Sequence, residues 1–108
     1  MLEHKETKTV RKFSSEYATV WMETYVDMPG ACILTHLFVK ESYRKKGYGN
    51  QALNDIETIA KNNYDCLICY LKVEVGSWMH NWYLRRGYEY WQDDEDPEYV
   101  WLFKNLRK

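Results

Sequence analysis

The sequence predicts an α+β fold in one domain, a mixed and mostly antiparallel sheet carrying two helices. Three observations lead there. Side chains alternate with a period of two in the first third of the chain, the residues after Gly49 recur with helical spacing, and an apolar run, "CLICYLKVEV", separates that helix from a shorter one. The order is strand, strand, strand, helix, strand, helix, strand, strand. It sets antiparallel hairpins on either side of a single strand–helix–strand unit, as an α+β domain does.

"TKTVRKF", Thr7 to Phe13, is a candidate for an earlier strand ahead of the hairpin. In "EYATVWMETYVDM", from Glu16 to Met28, Ala18, Val20, Met22 and Val26 take one face, and Tyr17, Thr19, Trp21, Glu23 and Tyr25 the other. "DMPG" has turn chemistry, and "ACILTHLFVK" returns as a third strand. Beyond the glycines, Leu53, Ile56, Ile59 and Ala60 line one side of a helix that runs to about Asn63, with Asn54, Asp55, Glu57 and Lys61 elsewhere on the wheel. Cys66 to Val75 is apolar enough to predict a central strand covered on both faces. Ser77 caps a short helix, "WMHNWYLRR", which Gly87 stops. "YEYWQ" and "YVWLFKNL" close the chain as two strands around the acidic turn "DDEDPE".

At 108 residues the chain holds one core, so residues 1–108 are expected to form a single domain. Hydrophobic residues are 45% and aromatics 17%, with ten Tyr and five Trp, which supplies that core despite 29% charged residues. The aromatics also leave room for a homodimer face. A net charge of -1 argues against a protein whose main work is coating nucleic acid, while a local basic cluster can still grip phosphate. "MLEHKETKTVRK" has no apolar run of signal-peptide length, and nowhere do about 18 apolar residues follow one another, so a cytoplasmic protein without a membrane span is expected. The three cysteines would stay reduced there. In "CLIC" a strand would turn Cys66 and Cys69 to opposite faces, so no metal is expected.

The chemistry concentrates in "LFVKESYRKKGYGNQA". A strand, a glycine turn and a helix N-terminus make an anion site, because unpaired N–H groups and the helix dipole converge there. Gly47 and Gly49 permit close backbone approach, and Arg44, Lys45 and Lys46 add positive charge. A nucleotide-hydrolase loop is excluded, because no Gly-Lys-Ser/Thr follows. "GYGNQA" fits the relaxed dinucleotide pattern, but Asp65 precedes the next strand instead of ending it, and hairpins flank the unit.

The third possibility is R-x-x-G-x-G, formed by Arg44, Gly47 and Gly49, which resembles the coenzyme A loop of GNAT N-acetyltransferases. "WYLRRGYEY", Trp82 to Tyr90, is similar to that family's second hallmark, a helix ending in Tyr, a basic stretch, then Gly and an aromatic. The resemblance covers roughly residues 33–106 and implies an acyl-CoA N-acyltransferase-like fold. It implies acetyl-CoA as co-substrate and no metal, with the pyrophosphate on the N–H groups of Lys45, Lys46, Gly47, Tyr48, Gly49 and Asn50, and pantetheine beside Leu37, Phe38 and Val39. The acceptor amine, on a small molecule or a protein, would attack in a ternary complex. An N–H near Phe38 or Val39 would steady the oxyanion, and Tyr83 would protonate the thiolate. A phenol of pKa about 10 can serve a thiolate of pKa about 8.5 without ionising at rest. His36 is the first candidate base, since imidazole exchanges protons near neutral pH; Glu23, Glu74 and water are alternatives. Tyr88 and Tyr90 are expected to pack.

The chain also departs from the family. The helical pair that commonly lies between the first two strands is missing, so the acceptor groove should be open or completed by a second subunit. Gly76 and Ser77 stand where many relatives have a cofactor-holding Asn. The acids of 93–98 would attract a polyamine, a lysine side chain or a basic peptide terminus. A non-catalytic CoA-binding or protein-binding module is the alternative to the enzyme.

Overall fold

The computed structural model describes residues 8–107; Thr7, with which the predicted first strand opens, lies outside them. Six strands and two helices follow one another as β1 (Lys8–Ser14), β2 (Ala18–Tyr25), β3 (Ala31–Val39), α1 (Tyr48–Tyr64), β4 (Ile68–Glu74), α2 (Trp78–Leu84), β5 (Glu89–Asp93) and β6 (Tyr99–Asn105). The sheet has the order β1-β2-β3-β4-β6-β5, and only β3 and β4 run parallel. It is the predicted mixed, mostly antiparallel sheet.

Both helices pack on one face of it. Val20 and Met22 of β2, Cys32 and Leu34 of β3, Leu71 and Val73 of β4 and Leu102 of β6 enclose a single core with Leu53, Ile56 and Ala60 of α1 and Trp82 and Tyr83 of α2. Each fully buried side chain of this size stabilises the fold by about 1.5–3 kcal/mol relative to exposure. A polar clasp joins α1 to the last strands: the Tyr88 hydroxyl donates to Glu57 Oε2 at 2.7 Å, and Lys104 Nζ donates to Glu57 Oε1 at 2.9 Å.

Among the described residues, the other sheet face carries no helix. In β4 buried and more exposed positions alternate, so this central strand is covered on one face and not on both. The reason is the connection from β1 to β2, a three-residue turn, 15–17, tied by Ser15 N to the Ala18 carbonyl at 2.8 Å. It has no room for a helical pair. Val26 lies past the end of β2 and is exposed, so it does not continue the buried stripe. Cys66 precedes β4, so it and Cys69 both sit in the core with Cys32 as free thiols, contrary to the opposite faces expected of them. Tyr88 is buried as expected, whereas Tyr90 is exposed and its hydroxyl donates to Asp93 at 3.1 Å.

Two local features open the sheet. In β3, His36 and Leu37 together stand opposite Val20 alone, a bulge in which His36 takes a left-handed φ of 55°. The parallel ladder between β3 and β4 spans only Ala31–Ile33 with Ile68–Tyr70, and beyond it the two strands part.

Candidate active site

The cleft beside that parting encloses about 540 Å³. Leu37, Phe38 and Val39 form one wall, Arg44, Lys45, Gly47, Gly49 and Asn50 its floor, and Trp78, Met79, Trp82 and Arg86 of α2 and the residues after it the far wall. Eight of the ten residues expected to hold a cofactor therefore line one cavity. Lys46 and Tyr48 do not: the Tyr48 ring stacks on Tyr17 at 4.3 Å and meets Tyr43 at 5.4 Å, which anchors the loop to the start of β2.

The loop's backbone is arranged for an acceptor that the protein does not supply. Gly47 caps α1 with φ 83° and offers no side chain, and Gln51 N is the first amide to bond back, to the Gly47 carbonyl at 3.1 Å. Among the described residues, none of the six amides from Lys45 to Asn50 makes a short, well-aligned hydrogen bond to another group of the protein. Such amides at a helix N-terminus, at the edge of a cavity with Arg44 and Lys45, fit a diphosphate. Arg44 is held over the Phe38 ring at 5.3 Å, and its Nε donates to the Val39 carbonyl at 3.0 Å, so the loop's cation is fixed to the end of β3.

The two glycines have separate roles. A Cβ at Gly47 would meet nothing within 4 Å, so its backbone angle is what demands glycine. A Cβ at Gly49 would stand 3.5 Å from both Trp82 and Val39, and any longer side chain would fill the cleft between its walls.

Arg86 was not foreseen from the sequence. Its Nε donates to Asn50 Oδ1 at 3.0 Å and its guanidinium lies 4.0 Å from the Trp82 ring centre, which ties α2 to the start of α1. Trp78, Trp82 and Arg86 are spaced by four, so the helical period alone could have placed them on one face.

Tyr83 stands behind this wall. Its ring packs edge-on against Trp82 at 5.1 Å and Tyr88 at 5.3 Å, and burial, then the neighbouring Cys69 and Glu57, raise its pKa well above the ordinary phenol value. Its hydroxyl bonds no described residue, yet no sealed side-chain polar atom lacks a partner, so that oxygen reaches solvent. His36 is exposed at the bulge and does not line the cleft. Glu23 accepts from the Tyr25 hydroxyl at 2.8 Å, and Glu74 is exposed at the end of β4. Ser77 Oγ accepts from His80 N at 3.1 Å and so is used as the cap of α2.

Residues 8–90 match the family model described as "Acetyltransferase (GNAT) domain". The chain belongs to the GNAT acetyltransferases. No curated protein sequence matches it. Solved structures that share the GNAT fold include the following three. A Klebsiella pneumoniae protein assigned to the acyl-CoA N-acyltransferases aligns at TM-score 0.74 and 18% identity, over 93% of this chain and 73% of that one. The PaiA N-acetyltransferase of Thermoplasma acidophilum, in complex with coenzyme A, aligns at 0.69 and 20%, over 82% of this chain and 53% of that one. N-acetylglutamate synthase of Neisseria gonorrhoeae, complexed with coenzyme A and L-arginine, aligns at 0.70 and 19%, over 85% of this chain and 22% of that one. No helix in the described residues of this GNAT domain is long and apolar enough to cross a membrane.

Proposed function

We propose that the protein is an acetyl-CoA-dependent N-acetyltransferase acting on a primary amine. The observation that carries this reading is the run of six amides, Lys45 to Asn50, without a well-formed hydrogen bond to the protein at the edge of the cleft. They would hold the pyrophosphate of acetyl-CoA, with Arg44 and Lys45 beside it and the pantetheine arm along Leu37, Phe38 and Val39. The thioester then lies where β3 leaves β4, and the backbone of β3 exposes N–H groups to the developing oxyanion. The amine nitrogen bonds the acetyl carbon as the C–S bond breaks. Tyr83 gives its proton to the departing thiolate, and the proton lost by the amine, taken up by His36 or water, restores the phenol through solvent. The sequence suggests a polyamine, a lysine side chain or a peptide N-terminus as acceptor, through the acids of 93–98.

Calorimetric titration with acetyl-CoA and CoA, against NAD and ATP, tests the reading. Selective binding of the first two is expected; absence of binding to either overturns it. A non-catalytic CoA-binding or protein-binding module is the second reading, favoured by the position of Tyr83 outside the cleft lining. Release of CoA thiol in the presence of an amine would exclude that module.

A further inference from the structure

On the uncovered face of the sheet, large side chains stand on either side of the parting of β3 and β4. The parallel ladder ends at Ile33 with Tyr70, and two residues further along each strand, on the same face, stand Thr35 of β3 and Lys72 of β4. Thr35 pairs with Trp21 of β2, and Trp21 with Lys12 of β1; on the other side Lys72 pairs with Trp101 of β6. One indole thus flanks each side of the opening, each with an ammonium against its ring, 5.4 Å from Trp21 for Lys12 and 5.9 Å from Trp101 for Lys72. Tyr99 supplies a further ring 5.3 Å from the Lys72 ammonium.

Two of the acids near this mouth are engaged, while its central cation is loosely held. Asp94 accepts from Trp101 Nε1 at 2.9 Å and from Asp96 N at 3.2 Å, and Glu23 accepts from Tyr25. Glu74, further along β4, is exposed. Besides the two rings, Lys72 has a long ion pair, 3.8 Å to Asp94, and its side chain is 44% exposed. An anion on a ligand could displace or share that contact, and a flat apolar body would cover the rings.

Resting on the acetyl transfer read above, we propose that the acceptor is a small amine carrying a carboxylate on an apolar or aromatic body, as in an α-amino acid. The body lies between Trp21 and Trp101, the carboxylate pairs with Lys72, and the amine points into the parting, where it meets the thioester from the face opposite the helices. This departs from the cationic acceptor suggested by the acidic turn, because a polyamine would set its second charge against Lys72 and Lys12.

Matched acceptors test it. CoA release is measured with phenylalanine against phenethylamine, tryptophan against tryptamine, and spermidine as the cationic comparator. The acid of each pair is expected to exceed its decarboxylated partner in kcat/KM by about tenfold or more, the worth of one charge-assisted contact. Lys72→Met is expected to collapse that ratio towards one. Equal or better turnover of the decarboxylated amines or of spermidine overturns the proposal, as does acetylation of none of the five by a protein that binds acetyl-CoA. Failure to bind acetyl-CoA in calorimetry would instead remove the acetyl-transfer reading beneath it.

Discussion

Tyr83 and Trp82 are neighbours in sequence and both pack into the core, but only Trp82 also lines the cleft. A step of one residue turns a helix by about 100°, so the motif that singles out Tyr83 could not say which of the two the cofactor would meet. As the proposed acid, Tyr83 should matter to chemistry more than to binding. Tyr83→Phe is expected to lower kcat by about 10²-fold, the scale of a general acid, with little change in CoA affinity by calorimetry. Gly49→Asp should do the reverse of a silent change: its side chain would lie between Trp82 and Val39 and put a negative charge beside the diphosphate. Acetyl-CoA binding is expected to vanish in calorimetry while the circular dichroism spectrum is kept.

Among elements, the strands and helices were legible because each has a clear period, and Ser77 and Gly87 mark the limits of α2 as punctuation predicts. Less was legible where the third dimension decides. Cys66 to Val75 reads as doubly covered because it is apolar, yet its outer face is open, since coverage depends on a connection elsewhere in the chain. The bulge at His36 was not legible in the sequence: histidine takes left-handed angles more readily than most residues, but one histidine inside an alternating strand does not mark where the register shifts. The cleft itself was half legible: the glycine loop announces its floor, while Trp78, Met79 and Arg86 join it only once α2 is set against α1. Gly47 shows what an element asks of one position. With no steric neighbour, Gly47→Ala is expected to cost about 1–2 kcal/mol in chemical denaturation, the conformational penalty of the left-handed cap alone.

On the scale of the whole molecule, burial has tuned several acids in one direction. The Cys66 thiol is pushed up to about 12 by burial and then by Cys32, and burial also raises Tyr83 and Tyr88. All three bind their protons more tightly folded than unfolded. The stability they contribute is complete below their unfolded values, about 8.5 for thiols and 10 for phenols, and is lost as pH rises above them. The urea midpoint should therefore fall from pH 8 to pH 10.5, and Tyr88→Phe should flatten that fall, since it keeps the ring but removes one titration. An unchanged midpoint would refute the argument.

The three-pair ladder between β3 and β4 also has a mechanical meaning. It is the hydrogen-bonded seam between two halves of the sheet, β1-β2-β3 and β4-β6-β5, assisted at its lower end by Leu67 N donating to the Gly30 carbonyl. A sheet stitched so briefly at its middle is a pair of stiff leaves on a short hinge, and a molecule lodged between the leaves would act as a clamp. Amide hydrogen exchange along Ala31–Ile33 and Ile68–Tyr70 should slow when acetyl-CoA is bound, although none of these residues lines the cleft.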